Sequence, residues 1–154
     1  MGLVHGQSHD LPVFSGVFPE ETVEQRHLFH ARWAPSCPEI EQQGLAAQGL
    51  KRGDHIAVVG DNRPRIYAAI AAAQCLGAIP VPLYQDSIEK EMEYILAHAE
   101  ARFAIVEDQE QVDKLVHVRP RCPALEHVVY DDVRGMRAYS EPWLMSLAEL
   151  RETG

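Results

Sequence analysis

Short apolar runs alternate with amphipathic helical runs along residues 56–130, and this alternation restricts the fold more than any other feature. The runs 56–59, 79–83, 103–106 and 128–130 have the length and β-branched content of buried strands. The residues between them repeat apolar side chains at helical spacing. Because crossovers between parallel strands are right-handed, the strands fit one sheet. The pattern predicts an α/β fold, an open, mostly parallel three-layer sheet with the order βαβαβαβ.

Turn and capping residues set the predicted boundaries of these elements. Asp61 or Asn62 is expected to cap a helix that has Pro64 in its first turn. Gly77 is expected to end that helix in the position after its C-terminus. The next strand contains two prolines, at 80 and 82, which cannot donate ladder hydrogen bonds. This strand is therefore expected at an edge of the sheet, at a strand start or in an irregular ladder.

The chain divides into a lead and one α/β unit. Residues 1–37 sustain neither a strand period nor a helical period, so they are predicted to be poorly structured, with a short helix near 20–31. Residues 38–154 form the α/β unit. A helix is predicted over 38–50, although Gly44 costs it about 1 kcal/mol relative to alanine. A second short amphipathic helix is predicted within 142–151.

Composition excludes several classes of function. The net charge is −9 and no run of Lys or Arg exceeds two residues, so nucleic-acid binding is not expected. No apolar run approaches the ~20 residues of a membrane-spanning helix. The N-terminus lacks the apolar core of a signal peptide. Cys37, Cys75 and Cys122 are odd in number and widely spaced, which favours free thiols in a reducing cytoplasm.

The residues after the first strand do not form a dinucleotide site. Residues 60–64 read Gly-Asp-Asn-Arg-Pro and contain one glycine. The dinucleotide fingerprint needs three, for the turn, for the approach of the pyrophosphate and for helix packing. No Walker A sequence is present either. NAD, FAD and P-loop nucleotide binding are therefore not expected.

Acidic residues follow the predicted strands and allow two interpretations. Asp61, Asp86 and Asp108 fall where the carboxyl ends of parallel strands share one edge of the sheet. Carboxylates at such an edge can bind Mg²⁺, as in a stand-alone flavodoxin-like or receiver-like module with Asp61 and Asp108 as ligands. Each aspartate also precedes a predicted helix, where it would cap free N–H groups and favour the helix dipole.

Two further clusters have simple structural interpretations. His27 and His30 would share one helix face, with His5 and His9 upstream, but zinc requires third and fourth ligands that are not evident. These histidines, like His98, are interpreted as surface residues. The spacing Ser-x-x-Lys occurs at 87–90, without the companion motifs of the hydrolases that use it. Ser87 is interpreted as part of a helix cap.

The order of several motifs resembles the start of the adenylate-forming, AMP-dependent synthetase and ligase superfamily. Residues 49–54 read Gly-Leu-Lys-Arg-Gly-Asp, and 60–64 are similar to the following helix start. Residues 76–84 read Leu-Gly-Ala-Ile-Pro-Val-Pro-Leu-Tyr and resemble the superfamily's next strand. Residues 93–101 and 106–111 look most like its long-chain fatty acyl-CoA synthetase branch. The resemblance extends from about Gly49 to the end.

The resemblance implies a larger enzyme than this chain. Such an enzyme joins a fatty acid to AMP from ATP with Mg²⁺, then passes the acyl group to CoA. The phosphate-binding loop and the catalytic lysine have no counterpart here, so no catalytic, cofactor-binding or metal residue is carried over. The matched segments look like part of the N-terminal subdomain, and the expected "T-Y-x-E" motif before Leu50 is not found. The chain is therefore expected to be a truncated, inactive N-terminal piece, with self-association through an uncovered apolar face as another possibility.

Overall fold

The computed structural model describes residues 39–154. The predicted lead at 1–37, its short helix and the His27–His30 pair lie outside the described residues. Within them, no helix is long and apolar enough to cross a membrane.

Strands and helices alternate through most of this unit. The prediction of helix 38–50 is confirmed in part, as α1 over Glu39–Ala47. The sequence over 142–151 forms a short strand and a shorter helix instead of the single predicted helix. The elements are α1 (Glu39–Ala47), β1 (His55–Val59), α2 (Pro64–Cys75), β2 (Ile79–Leu83), α3 (Glu89–His98), β3 (Phe103–Val106), α4 (Gln109–Val118), β4 (His127–Tyr130), β5 (Leu144–Ser146) and α5 (Leu147–Glu152), with 3₁₀ turns at Arg119–Arg121 and Met136–Ala138.

The five strands form one parallel sheet in the order β2-β1-β3-β4-β5. The predicted α/β class and parallel sheet are confirmed. β5 is the strand that the sequence did not predict, because three residues are too few to show a period of two. This strand order is the flavodoxin-like one, in which the chain direction across the sheet reverses between β1 and β3.

Helices cover both faces of the sheet. On one face α1 lies between α2 and α5, and on the other α3 packs against α4. Alternate residues of β1 and β3 face the two helical layers. Ile56 and Phe103 therefore belong to one hydrophobic core, and Ala57 and Ala104 belong to the other. Both layers are fully buried at these strands, which confirms the three-layer arrangement.

α2 begins with Pro64 and ends before Gly77, as predicted. Gly77 has a φ of +78°, a conformation in which glycine is favoured. The predicted cap is wrong, because the residue before the helix is Arg63, and it makes no side-chain capping bond. Asn62 instead accepts a hydrogen bond at its Oδ1 from the Tyr67 hydroxyl, at 2.8 Å.

β2 lies at the edge of the sheet, as its prolines predicted. The Ile79 N–H donates to the Asp54 carbonyl at 2.8 Å, so residue 79 directs its backbone groups toward β1. Val81 and Leu83 follow the same alternation in a parallel ladder. Pro80 and Pro82 therefore occupy the positions whose backbone nitrogens face away from the sheet.

α1 and α5 pack closely against each other on their face of the sheet. Gly44 of α1 faces the backbone of Leu150, and a β-carbon placed at Gly44 would lie 2.3 Å from the Leu150 carbonyl oxygen. Beside this contact, the buried carboxylate of Glu41 accepts from Arg151 Nε at 3.0 Å. The glycine that weakens α1 by helix propensity is thus the residue that lets α5 approach.

Candidate functional site

The carboxyl ends of the strands bring four predicted segments to one edge of the sheet. These are residues 60–62 after β1, 84–86 after β2, 107–108 after β3 and 131–132 after β4. Ligands usually bind at this edge in open α/β sheets. The sequence therefore located the edge correctly, and the geometry decides what each residue can do there.

Glu107 lies where the strand order reverses, between β1 and β3. Its side chain is buried, with 3% exposed. One carboxylate oxygen, Oε2, accepts the Asp61 N–H at 2.7 Å, and the other, Oε1, pairs with an Arg63 guanidinium nitrogen at 2.5 Å. Gly60 is packed so closely that an added β-carbon would lie 2.9 Å from the Glu107 β-carbon. The crevice that usually receives a ligand in this topology is thus occupied by a glutamate of the chain itself.

Two more arginines neutralise the edge that the sequence suggested was acidic. Arg65 of α2 pairs with Asp131 at 2.8 Å. Arg134 chelates Asp132, with its Nε 2.8 Å from Oδ2, and this hydrogen bonding lowers the Asp132 pKa to about 2. With Arg63 on Glu107, three carboxylates are paired. Sequence reasoning missed these arginines, although Arg134 lies only two residues from Asp132.

The three aspartates interpreted as caps or metal ligands behave differently from one another. Asp108 caps α4, since its Oδ1 accepts the Glu110 N–H at 2.9 Å while Gln111 Oε1 accepts the Asp108 N–H at 3.2 Å. Asp61 and Asp86 do not cap helices. α3 begins at Glu89, one residue after Ile88, so the cap predicted from Asp86 and Ser87 is wrong.

The described part of the chain shows no metal centre. It holds no group of three or more His, Cys, Asp or Glu side chains that could bind a metal ion. Asp61 faces the Gln85 amide, whose nitrogen reaches its Oδ1 at 2.5 Å when the amide is oriented to donate. Asp108 is engaged as a cap. The structure thus gives the proposed pair Asp61 and Asp108 other partners.

A groove of about 700 Å³ lies between the ends of β1 and β2. Tyr67 and Ile70 of α2 form one wall, and Tyr84 projects from the other with 87% of its surface exposed. Asp61 and Asp86 line the same groove, whose lining contains no Lys, Arg or His. This charge pattern disfavours anionic ligands and leaves aromatic faces and carboxylates for recognition.

The remaining sequence candidates are structural. His98 is exposed and stacks on the Tyr94 ring, with the ring centroids 5.7 Å apart, so it is a surface residue as interpreted. Ser87 is buried and its N–H donates to the Tyr84 carbonyl at 3.1 Å. Lys90, the other half of the Ser-x-x-Lys spacing, is exposed on the first turn of α3. Ser87 and Lys90 lie where the chain turns into α3.

Replacing Asp108 with alanine should lower the free energy of unfolding by about 1 kcal/mol, because the first turn of α4 loses its cap. Chemical denaturation of the full chain measures this. Asp86→Ala is the matched control, since Asp86 also follows a strand but does not cap, and it should change stability by less than about 0.5 kcal/mol. Equal losses in the two variants would contradict the assignment.

Comparison with protein families gives one match over most of this unit. A family model described as AMP-binding enzyme matches residues 43–146. The similar curated proteins include long-chain-fatty-acid–CoA ligase ACSBG2 of Xenopus laevis, 24% identical over 68% of this chain and 14% of its own length. Another is long-chain-fatty-acid–CoA ligase ACSBG1 of Bos taurus, 27% identical over 73% of this chain and 15% of its own length.

Solved structures show the same fold over part of their length. The anthranilate CoA ligase AuaEII, solved with anthranoyl-AMP, superposes with a TM-score of 0.66. It is 23% identical, and the match covers 75% of this chain and 21% of that one. This likeness establishes the fold. The chain spans about one seventh of the length of the two curated ligases above.

Proposed function

Because this chain belongs to the AMP-binding enzyme family, we propose that residues 38–154 supply the N-terminal α/β portion of an AMP-forming acyl-CoA ligase. The observation that carries the proposal is the family match over 43–146, which coincides with the parallel sheet and its helices. The motifs at 49–54, 60–64 and 76–84 fall in this stretch in the order that the family resemblance requires.

The substrates of the intact enzyme would be a fatty acid, ATP and CoA, with Mg²⁺ accompanying the ATP. The long-chain-fatty-acid ligases among the relatives support this choice of acyl substrate. The chemistry would consist of forming an acyl adenylate, in which the carboxylate displaces pyrophosphate, and then a thioester, in which the CoA sulfur displaces AMP. Both steps develop charge that needs preorganised donors or cations.

The groove at the ends of β1 and β2 does not fit the polyphosphate of ATP. The groove beside Tyr84 is lined by two carboxylates without a cation, and the arginines nearest the start of α2, Arg63 and Arg65, already pair with Glu107 and Asp131. We therefore assign this unit a scaffold role, with no catalytic, cofactor-binding or metal residue. Its paired side chains fix the loops at one edge of the sheet.

With Mg²⁺ and fatty acids of several chain lengths present, the isolated chain is expected to exchange no pyrophosphate into ATP above background. The reason is that neither a Ser/Thr/Gly-rich phosphate loop nor a catalytic lysine has a counterpart in the 154 residues. A full-length long-chain fatty acid–CoA ligase serves as the positive control. Exchange that depends on fatty acid would refute the scaffold role.

A chimera tests the family assignment separately. Residues 43–146 would replace the matched segment of a full-length long-chain fatty acid–CoA ligase, and thioester formation would be measured. Retained acyl-CoA synthesis supports the assignment. A soluble, folded chimera without activity would show that this unit does not substitute for the ligase segment.

The thiols support a reducing compartment, and we propose the cytoplasm. Cys75 is exposed and Cys122 is buried, and both are free. Burial raises the pKa of the Cys122 thiol, which keeps it protonated and unreactive. The alternative of a stand-alone Mg²⁺-binding module would require saturable Mg²⁺ binding that Asp61→Ala and Asp108→Ala together abolish.

A further inference from the structure

Most of the exposed large apolar side chains belong to one continuous stretch of the chain. Of six large hydrophobic side chains exposed among residues 41–154, five belong to the continuous stretch from α2 to α3: Tyr67, Ile79, Tyr84, Ile88 and Tyr94. The sixth, Val133, lies after β4. Scattered exposed apolar residues need no explanation, but a concentration of them marks interaction sites.

Tyr67, Ile70, Tyr84 and Ile88 form what we call the β2 corner. The first three line the groove between the ends of β1 and β2. Ile88 follows two residues after Asp86, which also lines the groove, and 59% of its surface is exposed. The Tyr67 ring is held in place by the hydrogen bond from its hydroxyl to Asn62. The corner thus offers a partly fixed aromatic wall beside an open depression.

Two carboxylates line the groove at this corner. Asp61 and Asp86 are exposed and line the groove, and no Lys, Arg or His does. Of the three glutamates of α3, Glu89 contacts His117 and Glu93 pairs with Arg121. The first contact joins α3 to α4, and the second joins α3 to the 3₁₀ turn Arg119–Arg121. The charge facing the groove is therefore negative.

We propose that the β2 corner is a docking surface for a positively charged, apolar helical segment of a partner protein. Lys or Arg side chains can lie over the faces of Tyr67 and Tyr84 while their charges approach Asp61 and Asp86. Leucine-like side chains of the same segment can cover Ile70 and Ile88, which is the helix-in-groove mode of recognition. The proposal stands independently of the ligase assignment.

The negative charge of the chain argues against two other occupants of this surface, a second copy of the chain and an anionic lipid surface. A second copy of the chain would bring a net charge of −9 and the same carboxylates into contact. An anionic lipid surface would be repelled for the same reason. A basic segment alone gains from both the aromatic rings and the carboxylates.

The probe for this proposal is a fluorescent amphipathic peptide of about 18 leucine and lysine residues, five helical turns long. Anisotropy is measured with the full chain at low and at high salt. Binding should be saturable, and Tyr67→Ser with Tyr84→Ser should weaken it about tenfold or more, as loss of aromatic anchors does. Asp61→Asn with Asp86→Asn should weaken it at low salt and much less at high salt.

Val133→Ser is the matched control, because it removes an exposed apolar side chain outside the corner and should leave the affinity unchanged. Thermal unfolding confirms that every variant is folded. Equal weakening by Val133→Ser, no effect of the tyrosine pair, or equal binding of a leucine–glutamate peptide would each overturn the proposal. So would a dimer of the chain that the tyrosine substitutions dissociate, since the corner would then belong to a second copy.

Discussion

Replacing Gly44 with alanine is expected to destabilise the protein by about 3 kcal/mol, although alanine is the better helix former. The added β-carbon would lie 2.3 Å from the Leu150 carbonyl oxygen and 2.9 Å from its carbonyl carbon. These are backbone atoms of α5, so no rotation of a flexible side chain relieves the clash. α1 and α5 must separate, which also disturbs the buried pair of Glu41 with Arg151. Chemical denaturation followed by circular dichroism measures the loss.

The exposed neighbour Ala46 supplies the control on the same helix. Ala46→Gly should cost about 1 kcal/mol, the ordinary effect of helix propensity. The two substitutions are the reverse of each other, so propensity alone predicts opposite signs for them. A Gly44→Ala protein as stable as the parent would show that α1 and α5 do not approach as closely as described.

Replacing Glu107 with alanine should lower the free energy of unfolding by about 2–3 kcal/mol. The Asp61 N–H loses a charged acceptor at 2.7 Å, and hydrogen bonds to charged groups contribute about 1.5–3 kcal/mol. The loss of the Arg63 ion pair adds little, because 53% of the Arg63 side chain is exposed and water can solvate it. Removing the Glu107 side chain also leaves an empty space beside Gly60. The Asp61 amide should exchange its hydrogen faster.

Glu107→Gln separates the hydrogen bond from the charge. The glutamine amide oxygen can still accept the Asp61 N–H, and the side chain still fills the crevice. Glu107→Gln should therefore lower the free energy of unfolding by about half as much as Glu107→Ala. Asp131→Ala, which breaks the exposed pair with Arg65, should cost less than about 1 kcal/mol. If Glu107→Ala were no worse than Asp131→Ala, Glu107 would not hold the loop after β1.

The sequence predicted the elements whose signals are local. Strand runs such as 103–106 carry consecutive apolar residues, and Pro64 and Gly77 mark the ends of α2. The prolines of β2 placed that strand at an edge because a missing N–H is a property of the residue itself. Asp108 caps α4, which is one of the two interpretations that the sequence allowed, and its capping partners lie within three residues of it.

What the sequence did not predict depends on distant partners. Glu107 accepts a hydrogen bond from the Asp61 N–H, which lies 46 positions earlier in the sequence. Arg65 pairs with Asp131, which lies 66 positions later in the sequence. Neither spacing differs from that of unrelated charges in the chain, so the sequence alone does not reveal these pairs. Gly44 was likewise judged by helix propensity, because the contact that requires it lies on α5.

The prolines of β2 have a consequence for how the sheet can be extended. Pro80 and Pro82 hold the outward positions of the strand, so its outer side presents carbonyl oxygens but no N–H groups. A further strand needs both donors and acceptors to form a ladder. The β2 edge of the sheet is therefore closed to a further strand.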